Sequence, residues 1–281
     1  MTFTVQPVAG ALGARIVGID LSKPIEPAAF ARIESALDEY CMLAFPEQAL
    51  EPGAFCAFAR LWGAPEPHVI DTFHHPGDPN ILILSNVTRD GRPIGLADAG
   101  TYFHTDYSYL EVPARCTILH AIDVPAGNAG TTFANQSRAY DDLPKATKDR
   151  IEGLVVRHHY GNRDDLDETS RTVASVLNEE QKRKVTWVHH KLARPHPRSG
   201  RKSLYAVSGS SFAIEGMEEA AGRALLDELK EHATQAKYCH THDYRNGDVV
   251  VWDNAQLLHR APLVDFSRPR TLWRITIKEK H

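Results

Sequence analysis

The chain reads Arg270-Thr271-Leu272-Trp273-Arg274-Ile275-Thr276-Ile277 in the stretch that says most about its fold. Side chains on a β-strand alternate between two faces, so this stretch predicts a strand with Trp273, Ile275 and Ile277 on one face. Arg270 and Arg274 then lie on the opposite face. If that face points into a barrel, each arginine needs an anion to offset its lost hydration, and a planar guanidinium suits a carboxylate or sulfonate. If it points into water, the two arginines are ordinary surface charges.

The rest of the chain predicts a mainly β fold with flanking helices. Short apolar runs predict further strands at Ile81–Leu84, Thr117–Ala121, Leu154–Arg157, Leu204–Val207 and Val249–Trp252. Apolar residues at helical spacing predict helices at Phe30–Tyr40, Phe55–Trp62 and about Met217–Thr234. Short strands separated by loops indicate a jelly roll or a related barrel. Because we find no internal repeat and no long linker, we expect a single domain over residues 1–281.

A His and a carboxylate two residues apart, His104 and Asp106, form a candidate metal site with the distant His259. We expect His104 and Asp106 to share one face of a strand, because alternate side chains do so. Two imidazoles and one carboxylate on one face suit Fe(II) and leave three coordination positions open for substrate and oxygen. The same ligands also serve Zn(II), which would favour hydrolysis. The best competing pair is His240 and His242, but no nearby residues complete it as well.

The composition and net charge of the chain argue against some classes of binding partner. The 281 residues carry a formal net charge of -4, so there is no basic field for nucleic acid. No apolar run reaches the length of about 20 residues that predicts a membrane span. The stretch Met1–Gln6 lacks the basic start and apolar run of a secretory signal. The 4 cysteines are scattered, which favours free thiols in a reducing cytoplasm. We expect a cytoplasmic homo-oligomer that binds neither nucleic acid nor a membrane.

The ligand set His104-x-Asp106 and His259, followed by Arg270 and Arg274, resembles the taurine / phenoxyacetate dioxygenase (TauD/TfdA) family. Further stretches that resemble the family are Leu43–Gln48, Phe58–Gly63, Ser137–Pro144 and His196–Lys202. The segment from Gly200 to His259 looks closest to the phenoxyacetate branch. The resemblance implies a double-stranded β-helix, or jelly roll, and an Fe(II)- and 2-oxoglutarate-dependent dioxygenase that uses O2.

The family's residue roles carry over one position at a time. By this resemblance His104, Asp106 and His259 are the iron ligands. Arg270 matches the arginine that pairs with the distal carboxylate of 2-oxoglutarate. Thr131 matches a threonine that supports the same carboxylate. No catalytic residue beyond the iron ligands is implied.

The resemblance also implies substrate contacts. Arg274 matches the arginine that holds the anionic group of the prime substrate, and His68 matches a substrate-contacting His of the taurine enzymes. Asp71 stands where those enzymes have a Tyr, which weakens the case for taurine. If Asp71 lines the substrate site, it favours a substrate with an amine or another hydrogen-bond donor.

The implied reaction is hydroxylation of a small organic anion, a carboxylate, sulfonate or phosphonate, with succinate and CO2 as co-products. Two alternatives remain at this point. One is a zinc-dependent hydrolase on the same ligands, although such an enzyme does not need Arg270 paired with Thr131. The other is a non-catalytic barrel that binds a small acid. The highly charged stretch at about residues 161–184 is interpreted either as a solvated surface excursion or as a lid over the substrate.

Overall fold

The computed structural model describes residues 2–97, 100–127, 130–160, 179–183 and 185–279. Its strands are β1 (Thr4–Pro7), β2 (Ala14–Val17), β3 (Met42–Phe45), β4 (His74–His75), β5 (Asp78–Ser85), β6 (Thr88–Arg89), β7 (Arg92–Pro93), β8 (Ala114–Asp123), β9 (Thr131–Asn135), β10 (Val155–His158), β11 (Val188–Lys191), β12 (Ala193–Pro195), β13 (Lys202–Leu204), β14 (Ser211–Ile214), β15 (Cys239–His242), β16 (Val249–Asp253), β17 (Leu257–Arg260) and β18 (Thr271–Lys278). The α-helices are α1 (Pro27–Tyr40), α2 (Pro52–Trp62), α3 (Gln136–Asp141), α4 (Lys145–Ile151), α5 (Glu179–Arg183) and α6 (Glu219–Ala233), and a 3-10 turn spans Ala236–Tyr238.

Two sheets carry the parts of the chain that matter for function. The large sheet has the strand order β1-β2-β3-β16-β8-β18-β5-β4, and all its pairings are antiparallel except that of β2 with β3. The small sheet has the order β15-β9-β17 and is antiparallel throughout. Apolar side chains from the facing sides of the two sheets form one buried cluster, which includes Leu119, Leu272 and Val250 from the large sheet and Phe133 and Leu257 from the small one. The fold is therefore the predicted jelly roll, mainly β with flanking helices.

Helices α1 and α2 cover the outer face of the large sheet. Each begins with proline in its first turn, at Pro27 and Pro52, where the missing N–H costs no hydrogen bond. Their apolar stripes, with Ile33 on α1 and Phe55 on α2, pack into the same cluster as Ile275 of β18. The outer face of β18 is thus covered by helices, and its other face looks into the space between the sheets.

The alternation predicted for the strand at 270–277 is confirmed. Trp273, Ile275 and Ile277 belong to the outer cluster, whereas Leu272 belongs to the cluster between the sheets. Arg274 is buried on the inner side. Arg270 lies one residue before β18 rather than within it.

Other predicted elements differ in detail. The predicted strand at Leu204–Val207 is wrong, because the strand spans Lys202–Leu204 and Ala206 has a left-handed backbone with φ 46°. The predicted helix near Met217–Thr234 is confirmed as α6, whose first turn is capped by the Glu218 carboxylate accepting a hydrogen bond from the Ala221 N–H. Of the charged stretch 161–184, residues 161–178 and 184 lie outside the described residues, and so does most of the hypothetical lid. No α-helix in the described ranges is both long and apolar enough to cross a membrane.

Candidate active site

His104 and His259 are held side by side by their own backbones. The His104 N–H donates to the His259 carbonyl at 2.9 Å, and the His259 N–H donates to the His104 carbonyl at 2.8 Å. Their ring centroids lie 4.2 Å apart. The prediction of a strand through His104 and Asp106 is wrong, because His104 makes only this isolated bridge and Asp106 begins a turn.

Asp106 completes the cluster from that turn. Tyr107, which follows it, has a left-handed backbone with φ 54°, and the turn brings the Asp106 carboxylate back over the two imidazoles. One carboxylate oxygen lies 3.7 Å from His104 Nε2, and the other lies 3.6 Å from His259 Nε2. Ligand atoms from the three residues all lie within 4.8 Å of one another, a separation that suits a shared metal ion.

The hydrogen bonding of His104 fits the role of a metal ligand. His104 Nδ1 lies 2.8 Å from the Tyr102 carbonyl, which can only accept, so Nδ1 carries the proton. The lone pair then lies on Nε2, the atom that faces Asp106. Metal ligands need neutral imidazoles and ionised carboxylates, and this site provides both.

The charges around the cluster favour the same protonation states. Burial lowers the pKa of His259 to about 3, which keeps its imidazole neutral. Burial alone would raise the pKa of Asp106, but the Arg274 guanidinium, with the two histidines, holds it well below its usual value. Two imidazoles, of which that of His259 is held neutral, and one ionised carboxylate form a donor set that fits Fe(II) as well as other divalent metals.

Two glycines make room for His104. A Cβ on Gly209 would lie 2.6 Å from His104 Cβ, and a Cβ on Gly100 would lie 2.3 Å from its ring. Both glycines have positive φ, at +92° and +73°. Because any other side chain there must displace His104, the backbone on two sides fixes the position of this imidazole.

A cavity opens beside the cluster, between the two sheets. His104 and His259 line it, together with Thr131, Arg270 and Arg274. Its other lining residues are mostly apolar: Leu84, Leu96, Ala97, Gly100, Leu119, Trp252, Ala261 and Val264. The structure thus brings together five of the residues singled out from the sequence.

Thr131 and Arg270 approach the cavity from different sheets. Thr131 begins β9 in the small sheet, and its hydroxyl lies 3.1 Å from the hydroxyl of Tyr244. Arg270 precedes β18, and Asn86 fixes its backbone: the Arg270 N–H donates to the Asn86 side chain at 2.8 Å. Tyr244 is buried, and burial raises its pKa to about 12, so it remains a hydroxyl donor. No sequence pattern marks Tyr244, because it lies in a loop after β15.

Arg274 lies deeper, against the cluster of His104, Asp106 and His259. Its Nη1 is 3.6 Å from an oxygen of Asp106, and its guanidinium lies 5.8 Å from the centroid of the Tyr107 ring. Burial alone would lower the pKa of Arg274, but the Asp106 carboxylate together with Tyr107 and Tyr109 raises it above its usual value, so this side chain stays charged. A buried cation beside the cavity is suited to an anionic group of a bound ligand.

Aromatic rings lie next to Arg274, beginning with that of Tyr107; they are not among the described residues that line the cavity. Tyr107, Tyr109 and Tyr160 lie in series, with ring centroids 5.6 Å and 4.5 Å apart, and His68 lies 6.0 Å from both Tyr107 and Tyr160. Burial, with the charge of Arg274, lowers the pKa of His68 well below its usual value, so this imidazole is neutral. Its Nδ1 accepts from the Ile70 N–H at 3.1 Å. We call these four residues the aromatic wall; among them, a substrate contact was predicted from the sequence only for His68.

Asp71 does not join the site. It is an exposed residue in the loop before β4, its carbonyl accepts a hydrogen bond from the His74 N–H, and it is not among the described residues that line the cavity. His68 turns inward and Asp71 outward because the loop bends between them. Asp71 therefore carries no argument for an amine-bearing substrate.

Two other groups with metal-ligand chemistry are committed to structural contacts. His242 Nε2 lies 3.2 Å from Asp248 in the turn before β16. His196 Nε2 lies 2.8 Å from Asp253, while its Nδ1 accepts from the Ser199 backbone at 3.0 Å. The third member of this second cluster, Asp38, is paired with Arg198 at 3.0 Å. These contacts tie α1 and the loop around His196 to the end of β16.

The comparisons with known proteins agree with this arrangement. The family model described as taurine catabolism dioxygenase TauD, TfdA family matches residues 4–276, and the chain belongs to this family. It is 33% identical to the alpha-ketoglutarate-dependent 2,4-dichlorophenoxyacetate dioxygenase of Cupriavidus pinatubonensis, over 98% of each chain. It is 31% identical to the (S)-phenoxypropionate/alpha-ketoglutarate-dioxygenase of Delftia acidovorans, over 97% of this chain and 94% of that one.

A solved structure extends the likeness to three dimensions. The crystal structure of AAD-2 in complex with Mn(II) and N-oxalylglycine superposes with a TM-score of 0.81 at 30% identity, covering 100% of this chain and 99% of that chain. The protein is an Fe(II)- and 2-oxoglutarate-dependent dioxygenase that uses O2, as the sequence predicted. Neither the zinc hydrolase nor the non-catalytic barrel finds support among these relatives.

Proposed function

We propose that His104, Asp106 and His259 hold the Fe(II) ion of this dioxygenase. The observation that carries this assignment is the convergence of their ligand atoms within 4.8 Å at the wall of a cavity that also contains Arg270 and Arg274. When bound, Fe(II) and 2-oxoglutarate supply the oxidising power: O2 is activated, the co-substrate is converted to succinate and CO2, and a substrate C–H bond is hydroxylated.

We propose that Arg270 and Thr131 bind the distal carboxylate of 2-oxoglutarate. Arg270 provides the charge, and Thr131, whose hydroxyl is paired with that of Tyr244, provides a neutral donor from the opposite side of the cavity. A guanidinium can bind a carboxylate with two parallel hydrogen bonds, which fixes both its position and its orientation. The keto acid end of the co-substrate then points towards the three metal ligands.

We propose that the prime substrate is a small carboxylic acid with an aromatic group, as in the phenoxy acids. Arg274 is a buried cation beside Asp106, and it suits the acid group. The aromatic wall next to it favours an aromatic ring, since rings pack edge-to-face or offset on one another. The relatives named for 2,4-dichlorophenoxyacetate and phenoxypropionate support this choice. Asp71 points away, so nothing here favours an amine.

In this scheme the protein contributes to catalysis by holding the substrate in a fixed position. Arg274 anchors one end of the substrate, and the aromatic wall fixes the other, so that one C–H bond is directed at the metal. Holding the reacting groups in place supplies much of the rate enhancement, and a poorly placed C–H bond leads to wasted oxidation of 2-oxoglutarate. The mostly apolar lining around the cavity keeps its interior low in dielectric, which strengthens the arginine–carboxylate contacts.

A panel of acids tests the proposed substrate class. Phenoxyacetate and the two phenoxypropionate enantiomers should stimulate succinate formation strongly. Two matched compounds change one feature each: cyclohexyloxyacetate lacks the aromatic ring, and phenoxyethanol lacks the acid group. Taurine changes both features, because it has no ring and carries a sulfonate in place of the carboxylate. We expect the order phenoxy acid, cyclohexyloxy acid, then phenoxyethanol and taurine. Equal stimulation by phenoxyethanol would contradict the role of Arg274, and a preference for taurine would contradict the role of the aromatic wall.

We further propose that the protein works in the cytoplasm as a homo-oligomer. All four cysteines are free, which suits a reducing compartment. Leu263 and Phe266 are 72% and 68% exposed, and exposed large apolar side chains favour contact with another surface. Light scattering during size-exclusion chromatography gives the mass directly, and a monomer at micromolar concentration would contradict the homo-oligomer.

A further inference from the structure

A chain of three hydrogen bonds ends on Asp106. The indole N–H of Trp252 donates to the side-chain carbonyl of Asn254 at 3.1 Å. The Asn254 amide donates to the Thr117 hydroxyl at 2.9 Å, and that hydroxyl donates to Asp106 Oδ2 at 2.7 Å. All four side chains are buried, with at most 4% of their surface exposed.

The donor-to-acceptor direction of these three hydrogen bonds is fixed at Trp252. An indole can only donate a hydrogen bond, so the Asn254 oxygen must face Trp252 and its NH2 group must face Thr117. The Thr117 oxygen therefore accepts from Asn254, and its single hydrogen is left for Asp106. Without that constraint a threonine hydroxyl could rotate towards another acceptor. The fold supplies the geometry, because Trp252 and Thr117 are direct cross-strand partners in β16 and β8.

Trp252 also contacts a second member of the cluster. Its ring lies 4.7 Å from the ring of His259, and Phe133 packs against both. One tryptophan thus supports His259 by packing and Asp106 through the hydrogen bonds of Asn254 and Thr117.

We propose that Thr117 is a positioning residue for the metal. Its hydrogen bond to Asp106 Oδ2 fixes the orientation of the carboxylate beside the two imidazoles. Asp106 would then offer Oδ1 to a bound cation, with Oδ2 already accepting from Thr117. Asn254 and Trp252 contribute by fixing the direction in which the Thr117 hydroxyl points. This inference rests on the proposed metal site.

Binding of Co(II), a spectroscopically visible stand-in for Fe(II), tests the proposal without turnover. Thr117→Val keeps the volume and removes the hydroxyl. We expect its Co(II) affinity, measured by calorimetry, to fall about 10- to 100-fold, as is typical when a hydrogen-bond partner of a metal ligand is lost. The visible absorption spectrum of bound Co(II) should also change, because the carboxylate is free to bind through both oxygens. Thr117→Ser should restore the affinity and the spectrum.

Thr276→Val is the matched control. Thr276 lies directly opposite Thr117 in the neighbouring strand β18 and is as deeply buried, yet this change leaves the Thr117–Asp106 hydrogen bond intact. Asn254→Ala should weaken Co(II) binding in the wild-type background and have no further effect in the Thr117→Val background, since it acts through the same hydroxyl. If Thr117→Val does not fold, Thr117→Ala removes the same hydroxyl with less steric demand.

The outcomes separate this inference from the metal site itself. Wild-type affinity and spectrum in a folded Thr117→Val or Thr117→Ala variant overturn the role of Thr117. An equal loss in Thr276→Val, or no recovery with Thr117→Ser, assigns the effect to strand packing and also overturns it. If Asp106→Ala binds Co(II) as tightly as the wild type, the proposed metal site fails, and the inference fails with it.

Discussion

His104 and His259 exchange two backbone hydrogen bonds, although they come from distant parts of the chain. This single bridge positions two imidazoles with their rings 4.2 Å apart, and Asp106 closes the cluster from the turn two residues after His104. The geometry of the cluster is therefore set by the backbone and not only by side-chain rotamers.

Replacing any of the three proposed ligands with Ala should abolish Fe(II) binding and turnover but leave the protein folded. Two ligands form a poor chelate for a labile ion, and the backbone bridge does not depend on the side chains. The absorption band of the anaerobic Fe(II)–2-oxoglutarate complex reports binding, and circular dichroism reports folding. Oxygen-dependent activity close to wild type in any of the His104→Ala, Asp106→Ala or His259→Ala variants would show that the ligands are misassigned.

Gly209→Ala should impair metal binding, although Gly209 is not itself a proposed ligand. The added Cβ would lie 2.6 Å from His104 Cβ, so the histidine must shift. Gly91→Ala is the control, because Gly91 also has a positive φ, +74°, but a Cβ there meets no atom within 4 Å. Both variants should lose about 1–2 kcal/mol of stability from backbone strain. Only Gly209→Ala should weaken the Fe(II)–2-oxoglutarate band, and equal bands in the two variants would contradict the prediction.

Arg270→Ala should raise the KM for 2-oxoglutarate. Loss of one partner from a desolvated arginine–carboxylate pair costs about 2–5 kcal/mol, or roughly 30- to 5,000-fold. Thr131→Val removes one neutral hydroxyl and should cost about 1 kcal/mol. Steady-state succinate formation at varied 2-oxoglutarate gives both values. An unchanged KM in Arg270→Ala would mean that the co-substrate binds elsewhere in the cavity.

Arg274→Gln should separate the prime substrate from the co-substrate. The charge that pairs with the substrate acid is lost, so the substrate KM should rise, and 2-oxoglutarate should be consumed without matching product. The anaerobic Fe(II)–2-oxoglutarate band should persist in Arg274→Gln but weaken in Arg270→Ala. Full coupling with an unchanged substrate KM would show that Arg274 serves only as a counter-charge for Asp106.

His158 should make the protein less stable in mild acid. It is fully buried in β10, neither ring nitrogen has a hydrogen-bond partner among the described residues, and burial lowers its pKa to about 3. The unfolded chain takes up this proton near pH 6.5, so stability is lost as pH falls from there towards 3, by about 1.4 kcal/mol per pH unit. His158→Phe should remove this contribution. Denaturant unfolding at several pH values tests it, and parallel curves for the two proteins would refute it.

The sequence predicted which residues lie close together better than it predicted the segments that carry them. Alternation placed Arg274 on the inner face of β18 correctly, because that strand has one face against helices and one against the cavity. The strand expected through His104 and Asp106 is instead one bridge and a turn, because Tyr107 adopts a left-handed backbone that no local pattern marks.

The sequence does not reveal the roles of Thr117, Asn254 and Tyr244, for a different reason. Each gains its place only through contacts with a distant strand, such as that of Thr117 with Asp106 or of Tyr244 with Thr131. Single-sequence patterns report the face on which a residue lies, and not which residue of another strand it meets. Asp71 shows the converse: it is close to His68 in sequence, yet His68 is buried and Asp71 is exposed, because the loop turns between them.

The cavity lies between two sheets, with Thr131 on one side and Arg270 on the other. A dicarboxylate that spans it therefore acts as a removable cross-link between the two sheets. Ligand that binds only the folded state raises its stability in proportion to the logarithm of ligand concentration. The lifetime of the protein in the cell should accordingly lengthen when 2-oxoglutarate is abundant and shorten when it is scarce, which links the amount of this enzyme to the supply of its own co-substrate.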